Sequence, residues 1–168
     1  IKEAIEVKRL DLQDLGAGIP DNTITPELNY ETEAFLNIAE DKGTPQWASF
    51  SEIDDKYDQS LNEVLHQATY YADKGWGSTE VIGAQLTLTL TGAVKPGDKA
   101  CDYNLSDKVM FELGNARKTH LKLQKGKKVI IWPITLANIT PAYGDSGAVN
   151  ALTVTIHGNG RPVIGTTE

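Results

Sequence analysis

Cysteine is nearly absent. Cys101 is the only one in 168 residues, which excludes an internal disulfide framework and fits assembly in a reducing compartment. Aromatic residues make up only 7%, so any core must be built mainly from aliphatic side chains. No apolar run approaches 18 residues, so no membrane-spanning helix is expected. No basic stretch leads from Ile1 into an apolar segment, so no secretory signal is expected either. The sequence has no GxSxG, HExxH, CxxC or Walker loop. His66, His120 and His157 are far apart, and Cys101 has no adjacent activating partner. Glu40-Asp41 and Asp54-Asp55 are neighbours in sequence, so in a strand they point to opposite faces. The run from Asp54 to Ser60 lacks the glycine and distal glutamate of a calcium loop. Gly158-Asn159-Gly160 precedes Arg161-Pro162 rather than a helix, which makes it a turn. No catalytic residue, metal site or cofactor is expected, and the chain is read as a non-enzyme.

What is present is a balanced, acidic chain of one-domain length, with 40% apolar and 23% charged residues. The net charge of −7 is unevenly spread. Residues 1–75 hold 6 basic and 16 acidic side chains, whereas residues 76–168 hold 10 and 7. Such a dipole favours directional self-association. An acidic chain is not the footprint of a sequence-reading nucleic-acid binder. Arg117, Lys118, Lys122, Lys125, Lys127 and Lys128 concentrate in one segment, a basic surface for an acidic neighbour or for DNA, or a solvated hairpin. Tyr57, Tyr70, Tyr71 and Trp76 cluster in another and suit either a core or an interface.

Period-two alternation dominates the chain. Residues 3–12 read as a strand or extended arm and 16–26 as a loop. Residues 34–39 and 47–53 read as strands, separated by a turn at 41–45, with 54–58 ending the second. Residues 61–68 are ambiguous: Leu61, Val64, Leu65 and Ala68 follow helical spacing behind a Ser60-x-x-Glu63 capping box. A strand is expected over 80–91, where Leu86, Leu88 and Leu90 alternate with threonines. Asp98 caps a helix over about 98–108. Residues 119–124 and 129–139 form strands around a turn at Lys125-Gly126-Lys127, with Pro133 demanding a bulge or an edge. The last strand covers 148–157, and 158–168 form an extended tail. The expected fold is mainly β, an antiparallel sandwich or barrel with one flanking helix, in a single domain over 1–168.

The order of five segments resembles the major tail tube protein of long, non-contractile-tailed bacteriophages. They are Thr69-Tyr70-Tyr71, Asp73-Lys74-Gly75, Gly83–Gly92, Gly97–Leu105 and Glu112–Thr119. The match spans roughly residues 52–163, and that family is related to inner-tube proteins of contractile tails and type VI secretion systems. The resemblance implies a structural virion protein. Six copies would form a ring with a continuous inner β-barrel, and rings would stack into a hollow tube that conducts the genome into a bacterial host. Implied partners are further copies of the chain, the tape measure protein in the lumen, the tail terminator and the distal tail or baseplate proteins. Double-stranded DNA would pass through without sequence-specific binding or membrane insertion. The location would be the virion tail, assembled in the host cytoplasm.

By the same analogy, residues 54–79 form an excursion to the adjacent ring, while 1–20 and 158–168 add contacts and acidic residues favour an electronegative lumen. Contacts between subunits or rings are expected at Asp54, Asp55, Tyr57, Asp58, Tyr70, Tyr71 and Trp76, and at Lys122, Lys125 and Lys127. The alternatives are a head decoration or other capsid-associated protein, and a carbohydrate-binding β-sandwich with Trp47, Trp76 and Trp132 as stacking platforms.

Overall fold

A computed structural model describes residues 28–41 and 43–168. The expected arm at 1–20, its strand at 3–12 and the loop at 16–26 lie outside the described residues. Among the described residues ten strands form in order: β1 (Thr32–Asn37), β2 (Trp47–Ser49), β3 (Asp54–Ser60), β4 (Val64–Thr69), β5 (Gly77–Gly83), β6 (Thr87–Ala93), β7 (Lys118–Lys125), β8 (Lys128–Ala142), β9 (Ala151–Gly158) and β10 (Val163–Thr166). Two short helices, α1 (Lys99–Asn104) and α2 (Asp107–Phe111), lie between β6 and β7. The main sheet runs β2-β1-β7-β8-β9-β6-β3, with β10 also on β8, and all its pairings are antiparallel.

β8 is the corner of the fold. Its first half pairs with β7 and β10, and its second half pairs with β9. A bulge between Ala137 and Thr140, with Asn138 at φ 46°, separates two stretches of the β9 ladder. The sheet thereby becomes two layers that share one core. Leu36 and Leu121 come from the β1–β7 side and Leu88, Leu90, Val154 and Ile156 from the β6–β9 side, joined by Ala100, Cys101 and Val109 of the helices. Each aliphatic side chain fully buried there contributes about 1.5–3 kcal/mol. Alternation in β6 assigns Leu88 and Leu90 inward and Thr87, Thr89 and Thr91 outward.

Several boundaries differ from expectation. Residues 54–60 do not end a strand; they are β3, paired with β6 from Asp54↔Gly92 to Ser60↔Thr87. Their polar composition concealed this, because an edge strand keeps most of its side chains in water. Residues 80–91 are not one strand: the chain breaks at 84–86, where Gly158 N–H donates to the Leu86 carbonyl (2.8 Å). The helix of 98–108 is two. Asp98 does cap α1, accepting from Cys101 N–H at 2.9 Å. The chain then turns at Leu105-Ser106, and the Ser106 hydroxyl donates to the Tyr103 carbonyl (2.7 Å).

Pro133 sits in neither a bulge nor an edge. Its carbonyl accepts from Asn159 N–H (2.8 Å), so its nitrogen faces the same lane, between the last β10 pair at Ile131 and the first β9 pair at Ile134. No ladder donor is missed in that gap.

Candidate functional interface

The most distinctive surface is the β4–β5 hairpin, a two-stranded sheet of its own. No residue from 61 to 83 is buried. Leu65 opposes Val81 and His66 opposes Glu80 across the ladder. Val64, Leu65, Val81 and Ile82 are all more than half exposed, as is Trp76; Tyr70 is half exposed and Tyr71 entirely so. A two-stranded hairpin without a core is marginal in water, and apolar exposure on this scale marks an interaction surface. The helix allowed by the spacing of 61–68 does not form: Asn62 adopts φ 42°, and Ser60 Oγ bonds Asn62 Oδ1 (3.2 Å) instead of capping a helix.

The root of the hairpin is fixed. Gln85 N–H donates to the Leu61 carbonyl (2.7 Å), and Asn62 Nδ2 donates to the Gln85 carbonyl (3.1 Å) and to Thr87 Oγ1 (2.6 Å). The aromatic-bearing turn therefore leaves the main sheet at a defined point between β3 and β6. The projecting element spans 61–83, beginning later than the expected 54–79.

The acids of β3 fall into different environments. Asp55 and Asp58 are exposed, and Asp58 pairs with Lys56 at 2.8 Å. Asp54 is drawn inward, where Oδ2 is buried with no hydrogen-bond partner among the described residues. Burial pushes its carboxyl up to about 7; Asp55 and Asp98 add to the rise, and a hydrogen bond from Tyr57 opposes it. Tyr57 is partly buried and packs against the core. Burial and the adjacent Asp54 hold its phenol well above the usual tyrosine range.

The basic segment is also divided. Lys125 and Lys127 are exposed at the β7–β8 turn, where Gly126 takes φ 55°. Lys122 lies over the Phe35 ring at 4.1 Å and near the Trp47 ring at 5.1 Å, a cation–π arrangement within its own layer. Burial lowers its pKa and Glu33 opposes the shift. The tryptophans do not gather: Trp47 flanks Lys122, Trp76 is on the hairpin, and Trp132 packs on the core.

A cleft of about 550 Å³ is lined by Lys118, Thr119, His120, Pro133, Ile134 and Asn159. The Nδ1 of its imidazole is 3.3 Å from Asn37 Nδ2, and the Thr119 hydroxyl donates to the Asn37 carbonyl. These groups tie β1 to β7 and leave no nucleophile–base pair. Among the described residues, no three His, Cys, Asp or Glu side chains are grouped to hold a metal ion.

No known family model and no curated protein matches the sequence. Solved structures do match the fold. A chain from the tail of an empty gene transfer agent particle, determined by helical refinement with C6 symmetry, superposes with TM-score 0.63 at 11% identity. The alignment covers 85% of this chain and 100% of that one. The fold is tail tube-like. A chain of the native gene transfer agent virion gives TM-score 0.61 at 13% identity over the same shares. One from the sheath–tube complex of an extracellular contractile injection system gives 0.51 at 13%, covering 84% of this chain and 93% of that one. The hairpin overlaps the expected excursion at 54–79, and its signal in the sequence is Thr69–Gly77, where aromatic and turn residues crowd together.

Proposed function

We propose that this chain is a structural tail tube protein whose copies form six-membered rings that stack into a hollow conduit for a genome. The observation that carries the reading is the β4–β5 hairpin: an exposed, apolar, coreless element, fixed at its root, on a fold shared with tail components. Tyr70, Tyr71 and Trp76 supply its contacts to the adjacent ring. The C6 symmetry of the gene transfer agent tail supports six copies per turn. Asp55 and Asp58 on one copy and Lys125 and Lys127 on another supply charge steering, screened by salt. Asp54, Tyr57 and Lys122 hold the protomer together behind these contacts. Ring contacts join unlike surfaces and close, whereas stacking contacts repeat without closing. The partners are further copies, a tape measure protein inside, and terminator and distal tail proteins at the ends. DNA passes without base contacts, the protein does no chemistry, and assembly takes place in the host cytoplasm.

Negative-stain imaging of the concentrated, purified protein tests the reading. Rings of six or hollow tubes are expected. A protein that remains monomeric at high concentration, with and without its distal tail complex, overturns it.

A further inference from the structure

We propose that the cleft beside His120 is a binding site for an oxyanion, a carboxylate or phosphate group held between the imidazole Nε2–H and the Lys118 ammonium. The site stands whether or not copies of the chain form a tube. It lies where the lateral cover of the sheet is interrupted. The β1 ladder on β7 stops at Leu36↔Leu121, before the row of His120 and Pro133. On the other side of β8, the β10 ladder stops at Ile131 and the β9 ladder begins at Ile134. The hollow of about 550 Å³ takes Lys118, Thr119 and His120 from β7, Pro133 and Ile134 from β8, and Asn159 from the chain after β9. Alternation in β7 buries Thr119 and Leu121 and turns Lys118, His120 and Lys122 outward, about 7 Å apart.

The hydrogen-bond network assigns the tautomer of His120. Asn37 is fully buried, and its Oδ1 accepts from two backbone donors, Ala39 N–H and Gln46 N–H, both at 3.1 Å. Backbone N–H groups only donate, so the orientation of the Asn37 amide is settled and its Nδ2 is the atom that faces the ring. An amide nitrogen also only donates, so His120 Nδ1, at 3.3 Å, is the acceptor. A neutral imidazole that accepts at Nδ1 carries its hydrogen on Nε2. The ring lines the cleft, and Nε2 lies on the side away from Asn37. No acceptor meets that hydrogen among the described residues. Asn37 is itself pinned by the Thr119 hydroxyl, which donates to its carbonyl. A buried asparagine thus acts as the positioning residue for a donor at the surface.

The lining carries no negative charge. Lys118 is exposed and makes no ion pair among the described residues. Asn159 is held by two bonds, from its N–H to the Pro133 carbonyl (2.8 Å) and from its Nδ2 to Thr135 Oγ1 (2.7 Å). Pro133 brings an apolar ring and no N–H. A cation is repelled by Lys118. A neutral hydroxyl forgoes the charge-assisted bonds that an ionised oxygen makes with both donors. The hollow is larger than a bare oxyanion, which suits a carboxylate or phosphate carried on a larger molecule.

Nuclear magnetic resonance of the full-length, isotope-labelled protein, with the imidazole neutral, tests the site. The probes are inorganic phosphate and N-acetylglutamate, and sodium chloride of equal ionic strength is the control. In the free protein the ring hydrogen is expected on His120 Nε2, and each probe should shift that signal saturably where chloride does not. Lys118→Gln and His120→Asn should each weaken binding about tenfold or more. His120→Gln, whose amide nitrogen reaches the Nε2 position, should retain part of it. Lys118 is exposed, so its replacement leaves folding intact and reads binding alone. Saturation by phosphate alone supports the site and assigns it to phosphorylated ligands. Saturation by N-acetylglutamate alone supports it and assigns it to acidic side chains. A ring hydrogen on Nδ1 overturns the tautomer and the site with it. Shifts that track ionic strength only, or an affinity unchanged in Lys118→Gln, overturn the oxyanion assignment.

Discussion

Replacing Asp54 by Asn isolates the energetic effect of a buried, incompletely paired carboxyl. In the fold this group holds its proton up to about pH 7, whereas in the unfolded chain it releases it near 4. Between those values the native state binds more protons than the unfolded state, so stability falls as pH rises through the window. The favourable contribution is complete below about pH 4 and lost above about pH 7. Fully expressed, that interval is worth about 4 kcal/mol; partial solvent access reduces it to about 2–3 kcal/mol. Asn keeps the shape and can accept from Tyr57, but its amide would face the position where Oδ2 has no partner. That unsatisfied donor costs about 1 kcal/mol at every pH. The difference between the proteins should therefore change sign: the wild type is slightly the more stable at about pH 4, and D54N is the more stable at about pH 8 by about 1–2 kcal/mol. Urea unfolding followed by circular dichroism at intervals from about pH 4 to about pH 8 measures it. Parallel pH profiles for the two proteins would refute the assignment of the titration to Asp54.

Two further predictions follow from backbone approach and exposure. A Cβ on Gly92 would lie 1.7 Å from the Ile53 carbonyl oxygen and 2.9 Å from the Asp54 Cα, both backbone, so G92A must force β3 and β6 apart. The loss should reach about 1–3 kcal/mol or more and lower the melting temperature by several degrees, read by differential scanning calorimetry; an unchanged melt would contradict the register. Tyr71→Ser combined with Trp76→Ser should leave the melt within about 0.5 kcal/mol of wild type, because neither ring touches the core, yet abolish ring stacking in electron micrographs.

Where a side chain's period reports burial, the fold was legible. Leu88 and Leu90 in β6, Leu121 in β7, and Val154 and Ile156 in β9 alternate against threonine, lysine or histidine, and each lies in its expected strand. Period failed where nothing covers the element. Leu61, Val64, Leu65 and Ala68 have helical spacing, but no core lies against them, so their spacing had no packing to report. Strand β3 was hidden because an edge tolerates DDKYDQS as well as a turn does; its pairing with β6 is a long-range fact that local composition does not carry. The same limit applies to the candidate contacts. Tyr57 and Tyr71 looked alike in a cluster of aromatics, yet one packs on the core and the other stands wholly in solvent. Lys122 and Lys125 alternate as a solvated hairpin would, but only the register Phe35↔Lys122 reveals that the first has rings beside it.

The hairpin and the free edges together constrain how such a molecule assembles without aggregating. The core is complete without residues 61–83, since every buried aliphatic side chain among the described residues lies outside that stretch. The hairpin therefore gains little from folding on the protomer and has its apolar side chains to bury elsewhere. Its root is nevertheless clamped by Asn62, whose left-handed backbone and amide bonds to Gln85 and Thr87 settle where it leaves the sheet. A fixed root with a loosely held tip reduces the ordering entropy of docking without committing the free molecule to a sticky, preformed surface. The edges free among the described residues, β3 and 136–142 of β8, follow the same logic, because the bulge and Pro141 on β8 shorten the available ladder. Combined in one growing particle, where a new copy meets an edge and a docking surface at once, each raises the effective concentration of the other. Growth should then depend on an existing end far more steeply than on protein concentration.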